Sequence, residues 1–270
     1  MPELPEVETT RRGIAPHLVG HRIEKVVARV PALRWPIPPA LPRLLRGREI
    51  LAVTRRAKYL LVESEPGALL LHLGMSGSLR VLPRDTPLRP HDHVDFHLDS
   101  GKLLRFNDPR RFGCVLWQAA GEVHELLADL GPEPLAPGFD GDHLWRVSRG
   151  RSAPVKHFLM DQRIVVGVGN IYAAEALFSA GVHPAREAGK VARGRYARLA
   201  DEVRRILEHS IKRGGTTLRD FTDADGEPGY FEQELNVYDR EGLPCKVCGT
   251  RIRAADWGQR QTCYCPRCQR

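Results

Sequence analysis

The amino end of this 270-residue chain reads Met1-Pro2-Glu3-Leu4-Pro5-Glu6. Loss of Met1 would leave Pro2 with a free secondary amine and two carboxylates, Glu3 and Glu6, within one helical turn. An α-amino group titrates near pH 8, more than two units below a lysine, so about a tenth of it is neutral and nucleophilic at pH 7. A secondary amine adds to a carbonyl-like carbon to give an iminium with no N–H proton to lose, so the positive charge persists and draws electrons. The same residues also suit a plain helix start, because proline fits the first helical position and glutamate the first turn. On these residues alone both readings stand.

At the other end, Cys245-x2-Cys248 and Cys265-x2-Cys268 are separated by sixteen residues. Two pairs at tight-turn spacing supply four soft ligands for a tetrahedral ion, which points to one structural zinc ion with no open coordination position. The alternative, two disulfides, belongs to secreted domains, and the acidic start lacks the apolar segment of a secretory signal. Zinc thiolates suit a reducing cytosol. The residues between the pairs, 251–262, suit a β-hairpin with Gln259 and Arg260 near its tip. Cys263 and Cys114 read as spare thiols.

The 41 Lys and Arg against 33 Asp and Glu give a formal net charge of +8, which favours a polyanionic partner. Arginine supplies most of the cations and grips phosphate with paired hydrogen bonds. No apolar run reaches the roughly eighteen residues of a membrane span. The sequence Val166-Gly167-Val168-Gly169-Asn170 precedes a helical pattern. Its glycines allow close backbone approach, and Asn170 suits an N-cap that could also offer its amide to a phosphate. An ordinary capped turn would look the same. Two further turns, Leu73-Gly74-Met75-Ser76-Gly77 and Asp108-Pro109-Arg110-Arg111-Phe112-Gly113, place Met75 and Phe112 where a core residue is out of place. An enzyme that extrudes a base from a duplex needs an apolar wedge, an aromatic and an arginine to fill the hole. An exposed turn with a packed aromatic is the plain alternative.

The elements that must hold these residues follow from pattern. Residues 2–18 suit one helix with Val7, Thr10, Ile14 and Leu18 towards a core. Short alternating or apolar segments at 23–30, 50–55, 59–62, 68–73, 79–82, 93–98 and 103–106 suit an antiparallel sandwich or barrel. The proline-rich 131–138 reads as a linker. Beyond it the pattern turns helical, with Tyr196, Leu199, Val203, Ile206, Leu207, Ser210 and Ile211 on one face and Gly214-Gly215 at the end. Residues 216–230, rich in Asp and Gly, read as a mobile loop.

Together these blocks, with Arg56-Ala57-Lys58-Tyr59 and His91-Asp92-His93, resemble the bacterial formamidopyrimidine-DNA glycosylases, which remove oxidised purines such as 8-oxoguanine. The resemblance runs through the whole chain in order. It implies an α+β multidomain fold: an N-terminal antiparallel β-sandwich with a catalytic N-terminal helix (1–130), a linker (131–150), a helix–two-turn–helix domain (151–235) and a four-cysteine zinc finger with a β-hairpin (236–270). It implies damaged double-stranded DNA as partner, no membrane, a monomer, and the bacterial cytosol or nucleoid as location. It implies that Pro2 attacks the sugar C1′, Glu3 donates a proton, Lys58 assists β-elimination, Arg260 assists δ-elimination and Glu6 supports the sugar ring and the nucleophile. By the same resemblance His91, Arg110, Arg151 and Asn170 contact DNA, and Met75, Arg110 and Phe112 fill the void left by the flipped nucleotide. The loop after Gly214-Gly215 would cover the flipped base. Arg151 stands where the family usually has lysine, and Cys263 where a larger apolar side chain is expected. Two rivals are the related endonuclease VIII type, against which Leu4, Met75 and the 110–112 block speak, and a non-enzymatic zinc-ribbon DNA-binding protein, which would not need Pro2 beside Glu3.

Overall fold

The structure, a computed structural model, describes residues 2–214, 234–257 and 259–270. The loop expected at 216–230 lies outside the described residues. Two compact units divide the chain: the first holds residues up to Ala128, and the second runs over Asp129–Lys212 and resumes with the described residues from Glu234 on.

The N-terminal unit is built on one apolar core shared by a helix and two sheets. Helix α1 (Leu4–Leu18) buries Val7, Thr10, Ile14 and Leu18, the face expected from its spacing, and Leu4 as well. One sheet runs β1 (Ile23–Ala28), β6 (Asp92–Leu98), β7 (Lys102–Asn107), β5 (Ser78–Pro83); the other runs β2 (Ala52–Arg56), β3 (Tyr59–Ser64), β4 (Gly67–His72), β8 (Cys114–Ala119). Every pairing is antiparallel. Strand β3 alternates, burying Leu60, Val62 and Ser64, as a strand with one face on a core should. Inward residues of both sheets, among them Phe96, Phe106, Leu69, Leu71 and Val115, join Val7 and Ile14 in one cluster, the arrangement of a sandwich. The short helix α2 (Leu41–Leu45) seals it with Leu41 and Leu45, and α3 (Glu125–Ala128) ends the unit.

The second unit is helical and then metal-knuckled. No helix or strand forms over 131–138. Helix α4 (Gly141–Ser148) starts at Asp140, whose carboxylate accepts the His143 N–H at 2.7 Å. Helices α5 (Val155–Met160) and α6 (Asn170–Ala180) follow; α6 is buried on nearly every side, as its composition of Ile, Ala, Leu and Phe requires. Helix α7 (Arg193–Lys212) is amphipathic and buries all seven residues of its expected face, plus Ala200. Ser210 sits on that face because its hydroxyl meets Tyr172 Oη of α6 at 2.6 Å. Strands β9 (Arg253–Trp257) and β10 (Arg260–Tyr264) form the hairpin expected between the cysteine pairs.

Candidate active site and nucleic-acid interface

Pro2, Glu3 and Glu6 are buried at the head of α1, with Glu3 2% and Glu6 0% exposed. Glu3 is the N-cap. The Glu6 carboxylate accepts the Glu3 N–H at 2.8 Å, the returning half of a capping box. That bond fixes the orientation of the Pro2–Glu3 peptide. One turn on, Glu8 ties α1 to the sheet. It accepts from Arg11 at 2.9 and 3.0 Å, from Arg12 at 2.8 Å and from Arg55 of β2 at 3.3 Å. Burial alone would raise the Glu8 carboxyl, but the hydrogen bonds from Arg11 and Arg12 and the charges of Arg11 and Arg55 bring it down to about 2.

Arg55 also donates to the Ala57 carbonyl at 2.8 Å. Ala57 has φ +54° and with Lys58 forms the two-residue turn between β2 and β3. Glu8 and Arg55 thus connect α1, which starts at Leu4 and not at Pro2 as the sequence suggests because Glu3 is its extended N-cap, with the turn that carries Lys58. Lys58 is 7% exposed. Burial, and then the charges of Lys58 and Arg34, push the His72 imidazole down to about 4. A neutral His72 can accept the Gly74 N–H at its Nδ1, 3.0 Å away.

Met75 and Phe112 are 38% and 42% exposed, unlike the core around them. Their turns touch: a Cβ on Gly74 (φ +64°) would stand 2.4 Å from both the Phe112 carbonyl carbon and the Gly113 nitrogen, so no other residue fits. The Arg110 guanidinium lies 4.9 Å from the Phe112 ring centroid, within cation–π range. His91 is exposed on the strand-entry turn before β6, with φ +69°. Pro2, Glu3, Glu6, Lys58, Met75, His91, Arg110 and Phe112 all belong to the N-terminal unit.

The second unit holds Arg151, Asn170 and Arg260. The N-cap of α6 is Gly169 and not Asn170, so the helix starts at Asn170, one residue earlier than the sequence suggests. The reason is local: the Asn170 Oδ1 is taken by Lys156 Nζ at 2.7 Å, so it does not turn back on the helix. The Asn170 amide donates to the Gln261 carbonyl at 3.4 Å. Lys156, 1% exposed, also donates to Thr262 Oγ1 at 2.7 Å and to the Gln261 carbonyl at 3.5 Å. The head of α6, where unpaired N–H groups favour an anion, is therefore joined to the hairpin. Arg260 is exposed where β10 begins, after Gln259 with φ +62°. Arg151 is exposed, with its Nε donating to the Val147 carbonyl at 2.9 Å.

The Sγ atoms of Cys245, Cys248, Cys265 and Cys268 lie within 4.8 Å of one another, with 3.9 Å between Cys245 and Cys268 and 3.5 Å between Cys248 and Cys265. A tetrahedral zinc with bonds of about 2.3 Å asks for sulfurs about 3.8 Å apart. The Val247 and Cys268 N–H groups donate to the Cys245 and Cys265 sulfurs at 3.4 Å, stabilising thiolate charge. The donor set fits one structural zinc, and four thiolates close its coordination. Cys263 packs with Ala174, Phe178 and Ile252. Burial pushes the Cys114 thiol up to about 12, so it stays protonated. Neither belongs to the metal group.

Sequence reading gave no individual role to Glu8, Asp108, Lys156 or Glu175. Glu175 is an acid on an otherwise apolar helix, a signal in its own right. Its carboxylate accepts from the Asn236, Val237 and Tyr238 N–H groups, each at 2.9 Å, and holds the chain that enters the finger.

Comparison with known proteins finds relatives that cover the whole chain. Residues 1–115 match the formamidopyrimidine-DNA glycosylase N-terminal domain, 130–222 the formamidopyrimidine-DNA glycosylase H2TH domain, and 242–270 a zinc finger found in FPG and IleRS. The formamidopyrimidine-DNA glycosylase of Stenotrophomonas maltophilia is 67% identical over 270 residues, covering 100% of both chains. The MutM (Fpg) crystal structure from Thermus thermophilus superposes with TM-score 0.90 at 40% identity, over 99% of this chain and 98% of that one. A Lactococcus lactis FPG mutant in complex with Fapy-dG-containing DNA superposes with TM-score 0.93 at 33% identity, over 100% of both. The chain belongs to the formamidopyrimidine-DNA glycosylase family.

Proposed function

We propose that this protein is a base-excision repair enzyme that flips oxidised purines (8-oxoguanine and formamidopyrimidines) out of duplex DNA, removes them and cuts the strand. The observation that carries the chemistry is the buried Pro2-Glu3 pair at the head of α1, with Glu6 fixing the peptide between them. With Met1 removed, the Pro2 nitrogen attacks C1′ of the damaged nucleotide. The N–C1′ bond forms, the glycosidic bond breaks, and Glu3 supplies a proton at the sugar or departing base. The iminium acidifies the C2′ proton, whose loss breaks the bond to the 3′ phosphate. A second elimination releases the 5′ phosphate. Lys58 assists the first elimination and Arg260 the second.

His91, Arg110, Arg151 and Asn170 grip DNA, while Met75, Arg110 and Phe112 occupy the void. Zinc, held by Cys245, Cys248, Cys265 and Cys268, fixes the hairpin that bears Arg260. The division of labour is 1–130 for chemistry, 131–235 for the helical phosphate grip and 236–270 for the finger, because the expected linker 131–150 carries helix α4 (Gly141–Ser148) of the second unit. Among the described residues no helix is long and apolar enough to cross a membrane. The enzyme works as a monomer on the genome, in the bacterial cytosol.

A 5′-labelled duplex with 8-oxoguanine opposite cytosine tests this reading. The expected product is a shortened strand ending in a 3′ phosphate, absent with guanine in place of the lesion. An uncut strand, or cutting only at an oxidised pyrimidine, would contradict it.

A further inference from the structure

We infer that Asp108 is a positioning residue that holds Met75, Arg110 and Phe112 as one rigid wedge for opening the duplex. Asp108 is 0% exposed, while the apolar side chains above it are among the exposed large hydrophobics of the protein. Its carboxylate bonds at or beside each member of the set. Oδ1 accepts the Ser76 hydroxyl at 3.0 Å, next to Met75, and the Arg110 N–H at 3.3 Å; Oδ2 accepts the Gly113 N–H at 2.8 Å, next to Phe112. The backbone of Asp108 extends the frame to the third turn. Its N–H donates to the His91 carbonyl at 3.1 Å, and its carbonyl accepts from His93 Nε2 at 2.9 Å.

A turn over 108–113 needs only the local bonds. The Ser76 bond reaches across 32 residues to another strand connection, and it meets a partner that is itself 7% exposed. An apolar side chain can unstack base pairs only if its backbone does not recoil, so a wedge on two separate turns needs a common support. The direct contact of Gly74 with the 112–113 backbone closes the same frame from the other side. Among the described residues no buried side-chain nitrogen or oxygen lacks a hydrogen-bond partner, so the frame is fully satisfied and its loss leaves donors stranded.

This inference rests on the proposed repair function, and the test separates the two. Full-length wild type, Asp108→Ala, Asp108→Asn and Ser76→Ala are assayed on an 8-oxoguanine duplex and on a duplex with a pre-formed abasic site. A 2-aminopurine beside the lesion reports unstacking, and melting temperature is followed in parallel. Asp108→Ala should slow lesion excision and the 2-aminopurine rise by about tenfold to a hundredfold. Abasic-strand cleavage, with no base to extrude, should slow by less than about threefold. Asp108→Asn should recover part of the loss, because its remaining oxygen can take the Gly113 N–H while the Ser76 hydroxyl reverses to accept from the new amide. Ser76→Ala, which keeps the carboxylate, should show a smaller loss of the same kind and serves if Asp108→Ala does not fold. Equal losses on both substrates, or no loss on either, would overturn the positioning role. A wild type inactive on both duplexes would overturn the repair reading and this inference with it.

Discussion

Glu8 and Asp108 in the N-terminal unit each draw together backbone segments far apart in sequence, whereas the C-terminal unit adds to one such carboxylate, Glu175, a group of four sulfurs and a buried ammonium, Lys156. In the first unit the supports are carboxylates accepting from arginine, serine and backbone N–H groups. They hold turns on a sandwich whose core is already complete, so one support can fail while the sheets persist. In the second unit the hairpin has little core of its own. Its buried residues Ile252, Cys263 and Cys265 share a cluster with Ala174 and Phe178 of α6. Such a module depends on its metal for folding. The contrast places support by a salt-bridged, pH-sensitive carboxylate, Glu8, beneath the proposed chemistry and metal-dependent support beneath the proposed grip.

Removing the metal should break the comparison most sharply. Cys265→Ser, or exhaustive chelation, should lower affinity for duplex DNA by about a hundredfold or more, because the finger loses its fold. The protection of α1 and the sheets against hydrogen exchange should persist. Affinity unchanged by both treatments, measured by fluorescence anisotropy, would mean that the finger fold does not depend on zinc or does not reach DNA.

Lys156→Met should do part of the same damage without touching the sulfurs. It removes donors to Asn170, Thr262 and the Gln261 carbonyl, and charge-assisted bonds of this type contribute about 1.5–3 kcal/mol each when buried partners are stranded. DNA affinity should fall about tenfold while bound zinc, counted by mass spectrometry, stays at the wild-type level. Loss of zinc in this variant would place Lys156 in the finger fold rather than at the link.

Glu8→Gln should act only on the first unit, and should be the mildest. Because the folded carboxyl titrates at about 2 against an ordinary 4.5, Glu8 adds stability above pH 4.5 that is lost as pH falls towards 2. After screening, that contribution is about 1–2 kcal/mol at neutral pH. Urea titrations at pH 7 and pH 3 should therefore show a gap between wild type and variant that shrinks at the lower pH. A gap independent of pH would mean that packing, not charge, makes Glu8 useful.

The periodic elements were readable from sequence because their signal is local. The buried faces of α1 and α7 and the strands β1 to β7 follow spacing that any window reveals. Strand β8 has no alternating pattern to read, because its first three residues, Cys114, Val115 and Leu116, are all buried. Helix α2 hides in a proline-rich stretch, although a proline in its first turn is compatible with a helix. The supports were harder still. Glu8 meets Arg55 across 47 residues, Asp108 meets Ser76 across 32, and Lys156 meets Thr262 across 106. No local pattern encodes such pairs, so the sequence marks motif residues next to them, such as Lys58 and Met75, but not the groups that hold them.

In the proposed reaction the Pro2 nitrogen becomes bonded to the sugar. Borohydride reduction during reaction with an 8-oxoguanine duplex traps an iminium as a stable protein–DNA bond. The expected result is a cross-linked peptide that begins at Pro2, with Met1 gone. A cross-link mapping to Lys58, or none at all from protein that binds the duplex and has lost Met1, would contradict it.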